Sequence, residues 1–244
     1  MKTLIIIPSR LSATRLPGKP LLKIKGLSII SHVVKKAQEA DIGDVYVATE
    51  DQEIIDDVNK NGGQAILTSN SHKTGTDRIF EALNLIGSKD ANLVMNLQGD
   101  EPLMCVKDIK NLNNLMIEHK SKLGTLASII KDKILFDNQN VVKVATKECL
   151  KSAQFPEAEN FMRKVDSSYK YIYHHLGLYC YEIETLKKFV SFNQSKNEIK
   201  NKLEQLRALD NEIKINVALS KSSPIGVDTE EDFIAIKKIM EYKS

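Results

Sequence analysis

The sequence predicts an α/β protein with a doubly wound, mostly parallel sheet. Two observations carry that expectation. Short apolar runs alternate along the chain with helical stretches of about ten to fifteen residues, which is the pattern of βαβ units. Two of those runs, Leu4–Ile7 and Leu93–Leu97, lead straight into charged loops. The carboxyl ends of parallel strands are where open α/β sheets bind ligands.

Composition narrows the class. The 244 residues are read as one domain, 1–244, without internal repeat or linker, and a chain of this length can bury a core without disulfides or metals. Hydrophobic content of 42% and charged content of 27% are ordinary for a soluble globular protein. A net charge of +3 is too small to point to nucleic acid and fits a local anion site. Cys105, Cys149 and Cys180 are widely spaced and odd in number, which suggests a reducing compartment and no zinc site. The apolar start is too short for a signal peptide, and nothing approaches the ~20 apolar residues of a membrane span. A cytoplasmic location with no membrane partner is expected.

Leu4–Ile7 reads as a buried strand, with Pro8 ending its ladder for want of an N–H. Residues 27–40 have helical periodicity, with Ile29, Ile30, Val33, Val34 and Ala37 on one side and Ser28 as N-cap. Val45–Ala48 is a strand, and Glu50 and Asp51 are expected to cap a helix over 52–61. Gly62 and Gly63 end it before a short strand over 64–67. A helix is expected over 79–86, a strand over 93–97 and a helix over 107–119. Strands over 123–130 and 141–146 flank a polar, turn-like stretch at 132–140. Residues 147–168 lack clear periodicity and read as an excursion from the sheet. An alternating strand within 169–181, helices over 182–190 and 199–209, a strand over 213–219 and a final helix after Thr229 complete the chain.

Three stretches carry chemistry. Ser9 to Pro20 holds Arg10, Arg15 and Lys19, which can converge on a polyphosphate. Pro17 and Pro20 stiffen this loop, lowering the cost of ordering it around a ligand, and Gly18 permits close backbone approach. Neither a Walker loop nor a Gly-x-Gly-x-x-Gly fingerprint is present. Lys73-Thr74-Gly75-Thr76-Asp77-Arg78 stands directly before a helix. Thr76 and Arg78 there suit an anion or a base edge, though Thr76 and Asp77 serve a helix cap equally well. Gln98-Gly99-Asp100-Glu101-Pro102 follows the strand over 93–97. Asp100 is the leading candidate for a Mg²⁺ ligand, since that ion takes one or two carboxylates plus phosphate oxygens and water. The alternative is that Asp100 and Glu101 cap the next helix. Near the end, Thr229 can cap the last helix with Asp232 as capping-box partner, leaving Asp228 free as a second carboxylate. The adjacent His174 and His175 face opposite sides of an alternating strand, so one exposed and one packed histidine is the default.

Taken together, these blocks resemble the 3-deoxy-manno-octulosonate cytidylyltransferase (CMP-Kdo synthetase) family. The resemblance rests on Ile-Pro-Ser-Arg-Leu-Ser-Ala-Thr-Arg-Leu-Pro-Gly-Lys-Pro, the Gly-Thr-Asp-Arg stretch, Gln-Gly-Asp-Glu-Pro, His-Leu-Gly-Leu-Tyr-Cys-Tyr, Leu-Glu-Gln-Leu-Arg and Val-Asp-Thr-Glu-Glu-Asp. It implies a nucleotidyltransferase of CTP and a Kdo-type sugar acid, serving lipopolysaccharide synthesis, dependent on Mg²⁺ and acting as a homodimer. It implies that residues of about 147–181 form an inserted dimerisation and sugar-pocket region. Lys19, Arg15 and Asp100 would be catalytic. Arg10, Arg15, Lys19, Thr76, Arg78 and Gln98 would bind nucleotide, and Gln98, His175, Tyr179 and Glu204 the sugar. Asp100 and Asp228 would hold Mg²⁺. Sugar 1-phosphate relatives carry a glycine-rich loop where Ser9, Leu11 and Ser12 stand here. A sialic acid, or the 8-amino form of Kdo, remains an alternative substrate. So does a non-catalytic nucleotide-binding role, though that would not need two acids at separate strand ends.

One departure bears on the sugar. In the family Ser-Arg stands a few residues before an Ile-Pro pair, and the arginine reaches the sugar acid. Lys151-Ser152 hold those places here, before Phe155-Pro156. A serine cannot reproduce a bidentate guanidinium grip. Either Lys151, Arg163 or Lys164 substitutes, or the preferred sugar differs.

Overall fold

The structure, a computed structural model, describes residues 2–12, 15–87 and 90–242. The chain divides into two compact units, residues 1–109 with 224–244, and residues 110–223.

In the first unit β1 (Lys2–Ser9) leads through the basic loop to a small hairpin, β2 (Lys23–Ile24) and β3 (Leu27–Ser28). Then follow α1 (Ile29–Ala40), β4 (Gly43–Thr49), α2 (Gln52–Lys60), β5 (Ala65–Leu67), α3 (Gly75–Ile86) and β6 (Ala91–Asn96). The unit boundary falls within α4 (Val106–Glu118). Ile5, Ile6 and Ile7 of β1 are fully buried, as a strand covered on both faces requires. Ser28 caps α1 as expected, accepting from Ser31 N–H at 3.2 Å, and the expected apolar face is buried.

The four main strands lie in the order β5–β4–β1–β6, and every ladder among them is parallel. From β1 the chain steps outward to β4 and β5, then crosses back to β6 on the other side of β1. That reversal makes the crevice beyond the carboxyl ends of β1 and β6 a topological switch point.

Pro8 does not end its strand. It pairs opposite Ala48, and β1 continues to Ser9. The reason is sidedness. Ile6 accepts from Leu97 N–H at 3.3 Å on the β6 side, and Pro8, two residues on, faces that same side. The ladder with β6 has already stopped at the Ile6–Asn96 pair, so the missing N–H removes no bond. Helix α3 starts at Gly75, four residues earlier than expected, because Thr74 caps it by accepting from Asp77 N–H at 3.2 Å. Thr76 is therefore not the cap.

The second unit holds β7 (Leu123–Ser128), α5 (Lys133–Asp137), β8 (Lys143–Thr146), β9 (Ala158–Met162) and β10 (Ile172–Glu182). After them come α6 (Ile183–Ser191), α7 (Lys196–Asn201), α8 (Leu206–Asp210) and β11 (Asn216–Leu219). Its strands run in the order β11–β7–β10–β8–β9, parallel only between β11 and β7. The α/β class holds, with the parallel ladders concentrated in the first unit. Three local expectations fail here. The turn-like stretch at 132–140 contains α5, capped by Asp132 accepting from Ile134 N–H at 2.8 Å and burying nothing. The excursion at 147–168 contains β9, whose bulged pairing with β8 blurs the alternation. The helix expected over 199–209 is two helices. Lys202 turns left-handed at φ 53° to stop α7, and a buried ion pair, Arg207 Nη2 to Glu198 Oε1 at 2.6 Å, links α7 to α8.

After β11 the chain returns to the first unit. There α9 (Glu230–Tyr242) is capped by Thr229 and Asp232 in the expected reciprocal pair, at 3.2 and 2.9 Å. Its Ile236 joins Ile24, Ile29 and Val227 in a small apolar core.

Candidate active site

A cleft of about 390 Å³ opens in the first unit at the carboxyl ends of β1 and β6. Pro8 and Ser9 form its floor, and Arg10, Arg15 and Lys19 of the basic loop reach it from one side. Gln98, Gly99, Asp100 and Asp228 line it as well, as do His72, Lys73, Thr74, Gly75 and Arg78.

The basic loop is shaped by its own backbone. Gly18 N–H donates to Leu11 O at 3.0 Å, closing the loop before the single 3₁₀ turn Lys19–Leu21, whose Pro20 is buried. Ala13 and Thr14 lie outside the described residues. Gly18 has φ 71°, a left-handed conformation that glycine adopts without strain. A side chain there would meet nothing within 4 Å, so backbone conformation, and not close approach, requires this glycine. The close approach is at Gly99 instead. A Cβ there would sit 3.0 Å from Pro8 O and 3.2 Å from Ile30 Cδ1.

The acids after β4 do not cap α2 with their side chains. Asp51 accepts from Leu11 N–H at 2.7 Å, pinning the start of the basic loop. Glu50 pairs with Arg78.

Lys19 is the centre of the cleft's charge. Its ammonium donates to Asp100 Oδ2 at 2.5 Å, to Val227 O at 2.8 Å and to Asp228 Oδ1 at 3.1 Å. Arg15 Nη2 lies 2.9 Å from the other oxygen of Asp228. The segment bearing Asp228 is fixed by Val227 N–H donating to Asp100 O at 2.9 Å. Burial pulls the Lys19 pKa down, but the Asp100 and Asp228 carboxylates outweigh it and hold the group above the ordinary lysine value. Beside them, Glu101 has one enclosed oxygen, Oε2, with no hydrogen-bond partner. Burial first, and then the neighbouring Asp100 and Asp228 charges, push its carboxyl up to about 8.

Among the described residues, no cluster of three or more His, Cys, Asp or Glu side chains is placed to hold a metal by itself. The pair Asp100 and Asp228 nevertheless already shares one cation, the Lys19 ammonium. Two hard carboxylates at the mouth of a cationic cleft suit a divalent ion that completes its shell with phosphate oxygens and water.

Arg78 is buried, with its guanidinium bonded to Glu50, to Thr68 Oγ1 at 2.6 Å and to Ser69 O at 3.2 Å. It lines the cleft while these partners hold it in place. Thr76 is also buried and does not line the cleft, whereas Thr74 and Gly75 do. Gln98 lines it, donating to Asn96 Oδ1 at 3.1 Å. The sequence does not single out His72, which is paired with Glu81 across α3's first turns. Only its place one residue before the Lys73–Arg78 motif could have drawn attention to it.

His175, Tyr179 and Glu204 belong to the second unit. His175 is buried, 3.1 Å from Thr125 Oγ1, and its ring lies 5.4 Å from that of Tyr179. Its neighbour His174 is half-buried, 3.1 Å from Ser223 Oγ, so one histidine of the pair is packed as expected, while the other is partly covered and not exposed. Burial, then Tyr181 and Glu204, raise the Tyr179 hydroxyl well above its ordinary pKa. Glu204 Oε1 lies 3.9 Å from Arg207 Nη2. Lys151 and Ser152 line a separate cavity of about 280 Å³ with Asn111, Leu150, Gln154 and Leu219. Arg163, one of the candidate stand-ins for the family's arginine, is engaged within the second unit. Its guanidinium is tied to three backbone carbonyls, those of Asn201 at 3.0 Å, Lys202 at 3.1 Å and Gln139 at 3.4 Å.

Comparisons with known proteins agree over almost the whole chain. Residues 4–215 match a family model described as cytidylyltransferase. A 3-deoxy-manno-octulosonate cytidylyltransferase of Afipia carboxidovorans is 41% identical, covering 98% of this chain and 96% of that protein. One of Thermodesulfovibrio yellowstonii is 39% identical, covering 98% of each. A solved CMP:2-keto-3-deoxy-manno-octonic acid synthetase complexed with CTP is similar with a TM-score of 0.90 at 31% identity, covering 100% of each chain.

Proposed function

The chain belongs to the cytidylyltransferase family, and on that premise we propose that it couples CTP to a Kdo-type sugar acid, giving the CMP-sugar and pyrophosphate. The observation that carries this reading is the meeting of Lys19, Arg15, Asp100 and Asp228 in one cleft at the sheet's switch point. Cations for a triphosphate and two carboxylates for its counter-ion stand side by side, drawn from three distant segments.

In this reading the sugar's anomeric hydroxyl attacks the α-phosphorus in line, and pyrophosphate leaves. Phosphoryl-type transfer asks for positioning and charge stabilisation more than covalent chemistry. Arg10 and Arg15, both exposed, bind the outer phosphates. Lys19 stabilises charge on the α-phosphate and leaving group. Asp100 and Asp228 would hold Mg²⁺, which when bound would neutralise phosphate charge. Gln98 lines the cleft and serves nucleotide and sugar. Arg78 lines the cleft and is assigned to the nucleotide, while also fixing the wall that Thr74 and Gly75 present. His175, Tyr179 and Glu204 are assigned to the sugar, and residues of about 147–181 to dimerisation. Among the described residues no helix is long and apolar enough to cross a membrane; a cytoplasmic location and a homodimer are part of the reading proposed.

Pyrophosphate release with CTP, magnesium and a panel of Kdo, 8-amino-Kdo and N-acetylneuraminate tests the substrate. Kdo or its 8-amino form should be preferred. Preference for the nine-carbon acid would sink the assignment. Because Arg163 is tied down, Ser152→Arg should raise activity on Kdo relative to the amino sugar.

A further inference from the structure

We propose that Lys19 is an exchangeable internal counter-ion: in the ligand-free protein its ammonium holds the place between Asp100 and Asp228 that a divalent cation takes when nucleotide arrives. The inference rests on the reading of Asp100 and Asp228 as metal ligands and adds the order in which the site fills.

The geometry is specific. Lys19 Nζ touches one oxygen of each carboxylate, at 2.5 and 3.1 Å, and a backbone carbonyl at 2.8 Å. Three acceptors satisfy the three N–H donors of an ammonium. Its side chain is only 13% exposed, so the contact is enclosed and not a loose surface pair. Two carboxylates brought this close would repel each other without a cation between them. The lysine therefore preserves the ligand pair while no metal is present.

The same contacts compete with a metal. Each carboxylate oxygen has further lone pairs, but a divalent ion bonding to Asp100 and Asp228 at about 2.1 Å would lie close beside the ammonium, where like charge repels. Lys19 must swing out, and a buried ammonium leaves its carboxylates only toward other anions. Among the described residues lining the cleft, the acids are Asp100 and Asp228 themselves, so the other anion has to be the triphosphate. Metal alone should bind weakly, and metal with nucleotide strongly, with Lys19 transferring from carboxylates to phosphate as the ion enters. The basic loop is suited to that transfer. Lys19 follows the left-handed Gly18 and begins a single 3₁₀ turn, so side-chain rotation moves the ammonium without disturbing a long helix.

The test is Mn²⁺ binding followed by electron paramagnetic resonance in the absence of any nucleotide. Lys19→Met and Lys19→Gln should each bind Mn²⁺ at least tenfold more tightly than the wild-type chain. Circular dichroism identifies which of the two keeps the fold. Arg15→Gln is the control. It removes the same charge beside Asp228 without vacating the place between the carboxylates, so its gain should be several-fold smaller. Equal gains from Arg15→Gln and Lys19→Met would mean that removing either cation beside Asp228 is enough, so the place between the carboxylates is not special, and would overturn the exchange. So would no gain from either lysine variant while Asp100→Asn abolishes binding, an outcome that leaves the metal-ligand reading intact. Unchanged Mn²⁺ binding in Asp100→Asn and Asp228→Asn would overturn both together.

Discussion

Lys19 illustrates how much one side chain carries. Lys19→Ala should remove a charge-assisted contact that tightens in the transition state, costing on the order of 2–4 kcal/mol of barrier stabilisation, or roughly 30- to 1000-fold in kcat. Steady-state kinetics on the folded variant check this, and a fall of less than tenfold would remove Lys19 from the site. His175 carries a different consequence. Burial, and next the adjacent His174, push its imidazole down to about 3 from the ordinary 6.5. The folded pKa is the lower one, so the unfolded chain takes up the proton first as pH falls. Stability from this group is full above about pH 6.5 and is lost progressively toward about pH 3, on the order of 5 kcal/mol in all. Urea unfolding should show a smaller pH slope in that window for His175→Asn than for the wild-type chain, and equal slopes would contradict the burial. At this scale the sequence was most informative where residue type alone dictates chemistry. Arg10, Arg15, Lys19, Gln98, Asp100 and Asp228 all line one cleft. It misled where a partner comes from elsewhere in the chain. Nothing local reveals that Asp51 accepts from Leu11, or that Arg163 is engaged by carbonyls of Gln139, Asn201 and Lys202.

Among elements, α7 and α8 depend on one buried interaction. Arg207 donates to both oxygens of Glu198, at 2.6 and 2.8 Å, and its guanidinium stacks 4.8 Å from the Phe189 ring. Glu198→Gln would remove the carboxylate that both of these N–H groups share, leaving the guanidinium with Glu204 at 3.9 Å, at a cost of about 1.5–3 kcal/mol. Chemical denaturation should show a loss of that size, and a change below about 1 kcal/mol would mean the pair is solvated. Element legibility followed burial. Strands β1, β4 and β6 and helix α1 were readable because each buries a continuous or strictly periodic apolar set. Helix α5 was not, since none of its residues is buried. Strand β9 was obscured by the bulge between Ala145 and Thr146 of its partner. The start of α3 was misplaced because its cap, Thr74, precedes Gly75, Thr76, Asp77 and Arg78, which carry no apolar period.

At the scale of the molecule, topology does what no single motif could. The βαβ alternation was visible in the sequence, but the crossing from β5 back to β6 is what sets the basic loop and the Gly-Asp turn at one sheet edge. Fold alone does not name the chemistry. A UDP-glucose pyrophosphorylase shares the fold at a TM-score of 0.74 and 13% identity. The chemistry rests on the cations and carboxylates gathered in the cleft. The most direct measurement of that claim is ³¹P NMR of a reaction containing the protein, CTP, magnesium and Kdo. The wild-type chain should convert the triphosphate resonances into those of pyrophosphate and a sugar phosphodiester, and Asp100→Asn should leave them largely unchanged. Triphosphate that persists with the wild-type chain, or an Asp100→Asn variant that turns over as fast, would contradict the assignment of this cleft.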